Sequence, residues 1–406
     1  MADIIQIDRL VYGGNGMGRL PDGKAVFVPF VLPGETAQVR IRKDKGRFAF
    51  ADLEEVLAPD PARINPLCAH FGKCGGCHYQ HIPYPNQVSL KKEIFIEQLQ
   101  RIAKLEFIPV KSAQASKEPF HYRNAMQFHL TAGGDLAFMD FSSANPFTVK
   151  ECHLPMETIG EFWPNIGFEE AGDINRIEIC QNSEGEVLTT LTSKSEGIPE
   201  IEIGIPINMA HICGTDQVVL SGDGFLYHAL MNKRFKVSAG SFFQRNYSGA
   251  IQMIETIAGV LRGKQGGVLW DLYCGVGLFS AFFQEKFDRV IGVEASPSAC
   301  LDYLDNLNRL PNVDLVEGMV EKVLPRIKDK PDIILMDPPR KGLDRFAIDA
   351  IKKRRPKLVI YVSCDPATLA RDIKRLGDVF TLESSVVIDM FPQTYHIESV
   401  NVMHLK

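Results

Sequence analysis

Residues 266–280 read GGVLWDLYCGVGLFS. Val268–Leu272 is a short apolar run of strand character, and Gly275 and Gly277 follow it where a tight turn must open a helix. Working outward, RVIGVEAS (289–296), VDLVEG (313–318), DIILMDPP (332–339), KLVIYVSCD (357–365) and SSVVIDM (384–390) repeat the apolar run, each separated from the next by a helical pattern. Strands alternating with helices at this spacing predict parallel βαβ units and a doubly wound, Rossmann-like sheet over residues 239–406. The fold class is therefore α/β for this part of the chain.

Upstream, the character differs. Residues 1–58 carry KAVFVPFVLPGETAQVRIRKDKGRFAFADLEEVL (24–57), short alternating stretches broken by Pro-Gly and Lys-Gly turns, which predicts a small all-β unit. Arg40, Arg42, Lys43, Lys45 and Arg47 lie on a hairpin there. Two readings stand: a solvated edge strand kept soluble by charge, or an RNA contact. Residues 59–238 form a central α+β segment. It opens on Pro59, Pro61 and Pro66, continues through a predicted amphipathic helix over 89–103 with an apolar face of Leu90, Ile94, Phe95, Leu99 and Ile102, and returns to short strands from about residue 120. That helix is expected to pack on the C-terminal domain.

The chain has 406 residues, 45% apolar and 23% charged, and a formal net charge of −5. No apolar run is long enough to span a bilayer, and the N-terminus lacks the pattern of a secretory signal, so a cytoplasmic protein without membrane contact is expected. The negative balance argues against a non-specific nucleic-acid binder, which needs basic excess; an enzyme visiting one RNA site manages with a local basic surface.

Ligands of open α/β sheets sit outside the carboxyl ends of the strands. Asp271 and Glu294 both fall there, Glu294 being 17 residues beyond Gly277, where a carboxylate can accept ribose hydroxyls. There is no Gly-x-Gly-x-x-Gly and no phosphate-binding lysine, so an adenosyl ligand without phosphates fits better than a dinucleotide. Two further strand ends, Asp337-Pro338-Pro339-Arg340 and Ser363-Cys364-Asp365-Pro366, reach the same edge. Asp365 suits an N-cap and Pro366 the first helical position. A helix start beside Cys364 is expected to favour its thiolate. The bland reading of any lone cysteine is a small buried hydrophobe, and Cys180, Cys213, Cys274 and Cys300 are assigned to it.

Taken in order, SFFQRN (241–246), DLYCGVGLFS (271–280), DPPRKGL (337–343), SCDPATLARD (363–372) and HIESV (396–400) resemble the RNA 5-methyluridine methyltransferases. The resemblance implies transfer of a methyl group from S-adenosyl-L-methionine to carbon 5 of a uridine. It implies Cys364 as nucleophile on carbon 6, Glu398 as the base that removes the carbon-5 proton, and Gln244, Tyr273, Glu294 and Asp337 around the cofactor. The bland readings are a tail carboxylate facing solvent for Glu398 and a helix cap for Asp337. Met319 departs from the pattern, since many methyltransferases carry an acidic residue there, near the adenine. Tyr395 and His396 are read either as a border for the target base or as core.

Cys68, Cys74 and Cys77 crowd a glycine-rich loop with Gly72, Gly75 and Gly76. In a chain expected to be cytoplasmic this points to metal ligation or catalysis before disulfides. Cys152 resembles the fourth ligand of the iron–sulfur members of the same family, which implies a [4Fe–4S] cluster; zinc is the rival, with His70 and His78 nearby. GGNGMGRLPDGKAVFVPFVLPGE (13–35) resembles a TRAM domain, a small RNA-binding barrel of OB type. Barrel and cysteine loop together most resemble the bacterial 23S rRNA uracil-5-methyltransferases, and a transfer RNA enzyme of the same chemistry is the nearest alternative. A monomer is expected. Radical methylthiotransferases need Cys-x3-Cys-x2-Cys, which is absent. A non-catalytic, metal-dependent RNA-binding protein would leave Cys364 and Glu398 idle.

Overall fold

The computed structural model describes residues 2–131, 133–168, 173–195 and 207–406. At the N-terminus β1 (Asp3–Leu10), β2 (Asn15–Arg19), β3 (Ala25–Pro29), β4 (Thr36–Asp44) and β5 (Phe48–Ala58) close into a barrel in the order β1-β2-β3-β5-β4. Strand alternation explains the closure: Ile5 and Ile7 point into a core with Val26, Val28, Val39, Ala49 and Ala51, while the residues between them face outward. The basic hairpin is β4–β5, and β4 pairs on both sides, with β1 and with β5. The pairing with β1 ends at Val39, so Arg40, Arg42 and Lys43 project past it with β5 on one side only, and both readings of the basic stretch stand. Two of its arginines face acidic partners across the ladder, Arg40 with Glu54 at 3.5 Å and Arg42 with Asp52 at 3.4 Å.

The cysteine loop leads into α1 (Tyr84–Gln98), which continues as one wide turn over Leu99–Ala103. The helix starts five residues before Ser89, since Pro85 is well tolerated in a first turn. Its buried face holds Ile94 and Phe95, but also Gln87, Lys91 and Gln98. The next strand, β6 (Val110–Gln114), is followed by β7 (Ala125–Leu130), β8 (Leu136–Met139), β9 (Pro146–Thr148), α2 (Glu157–Phe162), β10 (Ile174–Gln181), β11 (Val187–Ser193), β12 (Asn208–Cys213) and β13 (Asp216–Ser221). Strands β7 to β13 build a mostly antiparallel sheet in the order β13-β12-β11-β10-β7-β8-β9. A separate hairpin comes next, β14 (Phe225–Leu230) with β15 (Lys233–Ser238).

The C-terminal part contains α3 (Tyr247–Val260), β16 (Val268–Leu272), α4 (Leu278–Phe283), β17 (Arg289–Glu294), α5 (Pro297–Leu307), β18 (Val313–Glu317), α6 (Val320–Val323), β19 (Ile333–Met336), α7 (Arg345–Arg354), β20 (Leu358–Ser363), α8 (Pro366–Leu376), β21 (Phe380–Ile388) and β22 (Glu398–Leu405). Its sheet runs β18-β17-β16-β19-β20-β22-β21-β6. β16 to β20 are parallel, as the apolar runs predict, and β22 enters antiparallel between β20 and β21.

Two features were not foreseen from sequence. β6 adds to the far edge of this sheet by parallel pairing with β21, so the stretch 84–114 packs with the C-terminal sheet. On one sheet face, Phe95 and Leu99 share a core with Leu10 and Leu32 of the barrel, Tyr79 and Ile82 of the cysteine loop, and Trp270, Met336 and Tyr361 of the sheet. Barrel, cysteine loop and sheet are thus cemented by one continuous apolar cluster. No helix among the described residues is long and apolar enough to cross a membrane.

Candidate active site

The carboxyl ends of β16, β17, β19 and β20 lie level, with Leu272 beside Val293 and Met336, and Met336 beside Tyr361. The loops leaving these four strands therefore share one edge of the sheet. After β16 the chain turns at Tyr273 (φ 60°), Gly275 and Gly277 before α4 begins. Gly277 has φ +93°, and a Cβ there would meet Leu307 at 2.7 Å and Tyr303 at 3.0 Å. Only glycine fits so close a helix–turn contact. Asp271 accepts bonds from the Ser280 amide (2.9 Å) and hydroxyl (2.7 Å), which ties the strand to the helix start. Burial pushes the Asp271 carboxyl up to about 7.

Glu294 grips the same turn. It accepts from the amides of Gly275 (2.9 Å), Ala295 (2.7 Å) and Ser296 (2.7 Å), which fix the orientation of its carboxylate. Asp337 follows β19 and accepts from the Gln244 side chain at 3.5 Å. Burial, and then the Asp271 charge, push its carboxyl up to about 7. Asp337 caps no helix: α7 is capped by Asp344, which accepts from the Phe346 amide. Gln244 itself is held from behind. Asn124 donates to the Gln244 carbonyl at 2.8 Å, and Arg245 forms two bonds to Glu178 at 3.1 and 3.2 Å. Met319 is half exposed at the start of α6, on the rim of this turn, where the Gly318 amide donates to the Glu294 carbonyl.

Cys364 follows β20. The expected cap is present, with Asp365 accepting from the amides of Ala367 (2.9 Å) and Thr368 (2.8 Å) and Pro366 opening α8. Glu398 is no tail carboxylate. It opens β22 and is buried. Ser363 pairs with Ser399 in the antiparallel ladder of β20 and β22, so the next step along each strand sets Cys364 against Glu398. The expectation that the helix start would favour the thiolate is overturned. Burial, then Glu398 and Asp337, push the Cys364 thiol up to about 12, and only Arg340 opposes them. Glu398 is raised for the same reasons, burial and then Asp337, with Arg340 and Lys91 pulling the other way. The site is a crowd of acids that resists more than one negative charge.

Tyr395 and His396 are half-buried with rings 4.4 Å apart, and Phe391 closes on His396 at 5.6 Å. Burial depresses the imidazole well below its ordinary range, so it is neutral. Sequence reading missed two charged groups. Arg340 is exposed in the DPPRKGL stretch, and its signal was a pair of cations, Arg340 and Lys341, in the loop that leaves an active strand end. Lys91 is fully buried, donating to Asp389 at 2.6 Å and to the Phe391 carbonyl at 3.0 Å. Its signal was a lysine on the apolar face of a helix. Of the cysteines assigned to burial, Cys274 and Cys300 are buried, while Cys180 and Cys213 are half-buried.

The four other cysteines gather on one side of the central sheet. Cys77 and Cys152 share an apolar pocket with Phe71, Phe120, Tyr122 and Leu154. Gln80 accepts from the Cys68 amide (3.0 Å) and donates to the Cys77 sulfur (3.2 Å), and the Gly76 amide points at the Cys74 sulfur (3.4 Å). A Cβ at Gly75 would sit 2.9 Å from the Asp140 carbonyl, so the loop lies against the β8 turn only because glycine is there. Burial pushes the Cys77 thiol up to about 12 and Cys152 to about 11; each also feels neighbouring thiols, and Arg123 offsets both. All four are free thiols. Among the described residues, however, no three His, Cys, Asp or Glu side chains converge closely enough to hold a metal ion. The fold collects the sulfurs expected for a metal centre without assembling a closed site.

Comparison with known proteins decides the class. A family model described as tRNA (Uracil-5-)-methyltransferase matches residues 225–406, and one for the TRAM domain matches residues 5–53. An uncharacterized RNA methyltransferase of Aquifex aeolicus is 32% identical over 99% of this chain and 98% of its own length. The chain belongs to the RNA uracil-5-methyltransferase family. A second RNA methyltransferase, from Thermotoga maritima, is 30% identical over 98% of both chains. Among solved structures, a tRNA (uracil-54, C5)-methyltransferase of Pyrococcus abyssi, in complex with S-adenosyl-L-homocysteine, superposes with a TM-score of 0.72. It is 22% identical and covers 98% of this chain and 99% of its own, a likeness of fold. This protein is an RNA methyltransferase of the uracil-5-methyltransferase family with an N-terminal TRAM barrel.

Proposed function

We propose that the enzyme methylates a uridine of 23S rRNA through a covalent adduct between Cys364 and carbon 6 of the base. The observation that carries the mechanism is the register of β20 and β22, which sets Cys364 against Glu398 beside Asp337. Carbon 5 of uracil is too weak a nucleophile to take a methyl group unaided. The Cys364 thiol gives up its proton to water, the thiolate adds to carbon 6, and carbon 5 becomes enolate-like, with Glu398 left as the carboxylate. That carbon forms a bond to the sulfonium methyl while the methyl–sulfur bond breaks, leaving S-adenosylhomocysteine. Glu398 then takes the carbon-5 proton, the carbon 5–carbon 6 double bond re-forms, and the thiolate leaves. Arg340 is the local cation that makes the first negative charge tolerable, and the sulfonium adds a second positive charge to the same pocket.

Gln244, Tyr273, Glu294 and Asp337 are proposed to hold the cofactor, with the already oriented Glu294 carboxylate on the ribose. The neutral His396 with Tyr395 borders the flipped base, which must leave its stack to reach this depth. The division of labour proposed is RNA contact by residues 1–58 and 59–238 and chemistry by 239–406, with the helix at 84–98 built into the catalytic core.

Cys68, Cys74, Cys77 and Cys152 suit a [4Fe–4S] cluster by the chemistry of the donor set: four thiols, two of them (Cys77 and Cys152) against apolar side chains, N–H groups directed at Cys74 and Cys77, and Arg123 to balance charge, although no three converge among the described residues. Such a cluster would brace the loop and supply no electrons, since the methylation needs none. Anaerobically purified protein should then show broad visible absorption that disappears in the Cys74→Ser variant; a colourless protein containing zinc would favour the rival metal.

A transfer RNA substrate is the second reading, favoured by one observation. The solved tRNA enzyme matches 98% of this chain, so a barrel joined to such a catalytic domain does not by itself distinguish the two RNAs. Labelled S-adenosylmethionine offered with 23S rRNA and with total tRNA tests both: label in 5-methyluridine of 23S rRNA supports the proposal, and label confined to tRNA replaces it. A Cys364→Ala enzyme that methylates as well as wild type would sink the mechanism.

A further inference from the structure

One residue of the barrel touches both catalytic loops. Tyr12 lies in the turn between β1 and β2, and its hydroxyl donates to Asp365 Oδ2 at 2.9 Å across 353 positions of sequence. Asp365 is the residue after Cys364, and its other oxygen is already engaged in capping α8. The Ser363 hydroxyl and the Asp365 backbone also bond each other, at 3.1 and 3.3 Å. The turn that carries the nucleophile is therefore pinned on three sides: by its own serine, by the helix it caps, and by the barrel.

The ring of Tyr12 performs a second task. It meets Tyr395 edge-on, with centroids 5.7 Å apart. Tyr395 in turn packs against His396 and His78, three residues before Glu398. The backbone amides of His78 and Tyr79 both donate to the Gln393 carbonyl, so this loop is braced from the cysteine loop too. Half-burial of Tyr12 and its place against the shared core of barrel and sheet limit the positions its hydroxyl can reach.

We propose that Tyr12 is a positioning residue for methyl transfer: its hydroxyl fixes the Ser363–Asp365 turn, and its ring backs the loop that carries Glu398. This rests on the reading of Cys364 as nucleophile. It makes the RNA-binding barrel a structural part of the active site. Displacing a nucleophile by a fraction of an ångström costs rate without loosening substrate.

Steady-state kinetics of the full-length Tyr12→Phe enzyme test the proposal, alongside Asp365→Ser, which keeps a capping oxygen but removes the acceptor. Phenylalanine retains the ring contact and loses only the hydrogen bond. The expected result for each variant is a kcat lowered about tenfold, the scale of one hydrogen bond to a charged group, with the RNA KM and the melting temperature unchanged. The double variant should be no slower than either single one. An unchanged kcat in Tyr12→Phe overturns the proposal, as do losses that multiply in the double variant or a defect confined to RNA KM. A Cys364→Ala control separates the two failures. If it is inactive while Tyr12→Phe is normal, only the positioning role is lost; if it is active, the nucleophile reading falls first.

Discussion

Iodoacetamide applied at pH 8 to the enzyme without RNA or cofactor should leave Cys364 nearly untouched while a cysteine in an unstructured peptide reacts. The thiol is pushed up to about 12 from an ordinary 9.0. At pH 8 that shift lowers the thiolate fraction about a thousandfold. A more basic thiolate is also more nucleophilic, and a Brønsted slope of about 0.4–0.5 over three units returns a factor of roughly 16–32. The net expectation is alkylation about thirty- to sixtyfold slower than in the peptide, rising steadily with pH through 10 without a plateau. Glu398 is the largest cause after burial. Removing one neighbouring negative charge is worth about one to three pKa units, and each unit gives roughly a threefold net gain in rate once the Brønsted correction is applied. Where Glu398 is ionised, Glu398→Gln should therefore alkylate about three- to thirtyfold faster than wild type, while losing turnover because the carbon-5 proton has no acceptor. Mass spectrometry of the Cys364 peptide over time reads both rates. Wild-type Cys364 reacting as fast as the peptide, or Glu398→Gln reacting no faster than wild type, would refute the electrostatic account.

Lys91→Met leaves Asp389 buried without its partner, and urea unfolding should show a loss of about 3–5 kcal/mol; adding Asp389→Leu should restore most of it. At Glu35, burial alone would raise the carboxyl, but bonds from Arg63 and from the amides of Leu32 and Asp60 outweigh it and hold the pKa below 4.5. A lowered folded pKa contributes stability that is present above the unfolded value and lost as pH falls through the folded one. Thermal melting below pH 4.5 should fall more steeply in wild type than in Glu35→Gln, and parallel curves would count against the assignment. Gly277→Ala meets Leu307 and Tyr303 from a positive φ; calorimetry should find it destabilised by about 1–3 kcal/mol and S-adenosylhomocysteine binding weakened with it.

Local chemistry was the legible part of this protein. The glycine turn at 273–277 and the Asp365-Pro366 helix start announce themselves within a few residues, because caps and turns are set by neighbours. That β16 to β20 run parallel follows from their alternation with helices. Pairings between distant segments left no such trace. β6 joins β21 across more than 270 positions, and nothing in 110–114 marks it as an edge strand of another sheet. Glu398 looked exposed because a terminal segment carries no periodicity that shows insertion between two strands; only resemblance singled it out. The thiolate expectation failed at Cys364 because only the helix start was weighed: Asp337 and Glu398 were placed at the same site, but their depth of burial and their charge on the thiol left no trace in the sequence. Tyr12 and Lys91 escaped for the same reason, each acting on a partner about 300 residues or more away.

The covalent step is open to direct observation. RNA carrying 5-fluorouridine at the target has no carbon-5 proton for Glu398 to remove, so once methyl transfer occurs the thioether to carbon 6 cannot break. The account predicts a protein–RNA species stable to denaturation, formed only with S-adenosylmethionine, whose RNA-bearing peptide contains Cys364, and its absence in Cys364→Ala. Methylation of the fluorinated RNA with no crosslink, or a crosslink at any other residue, would contradict it.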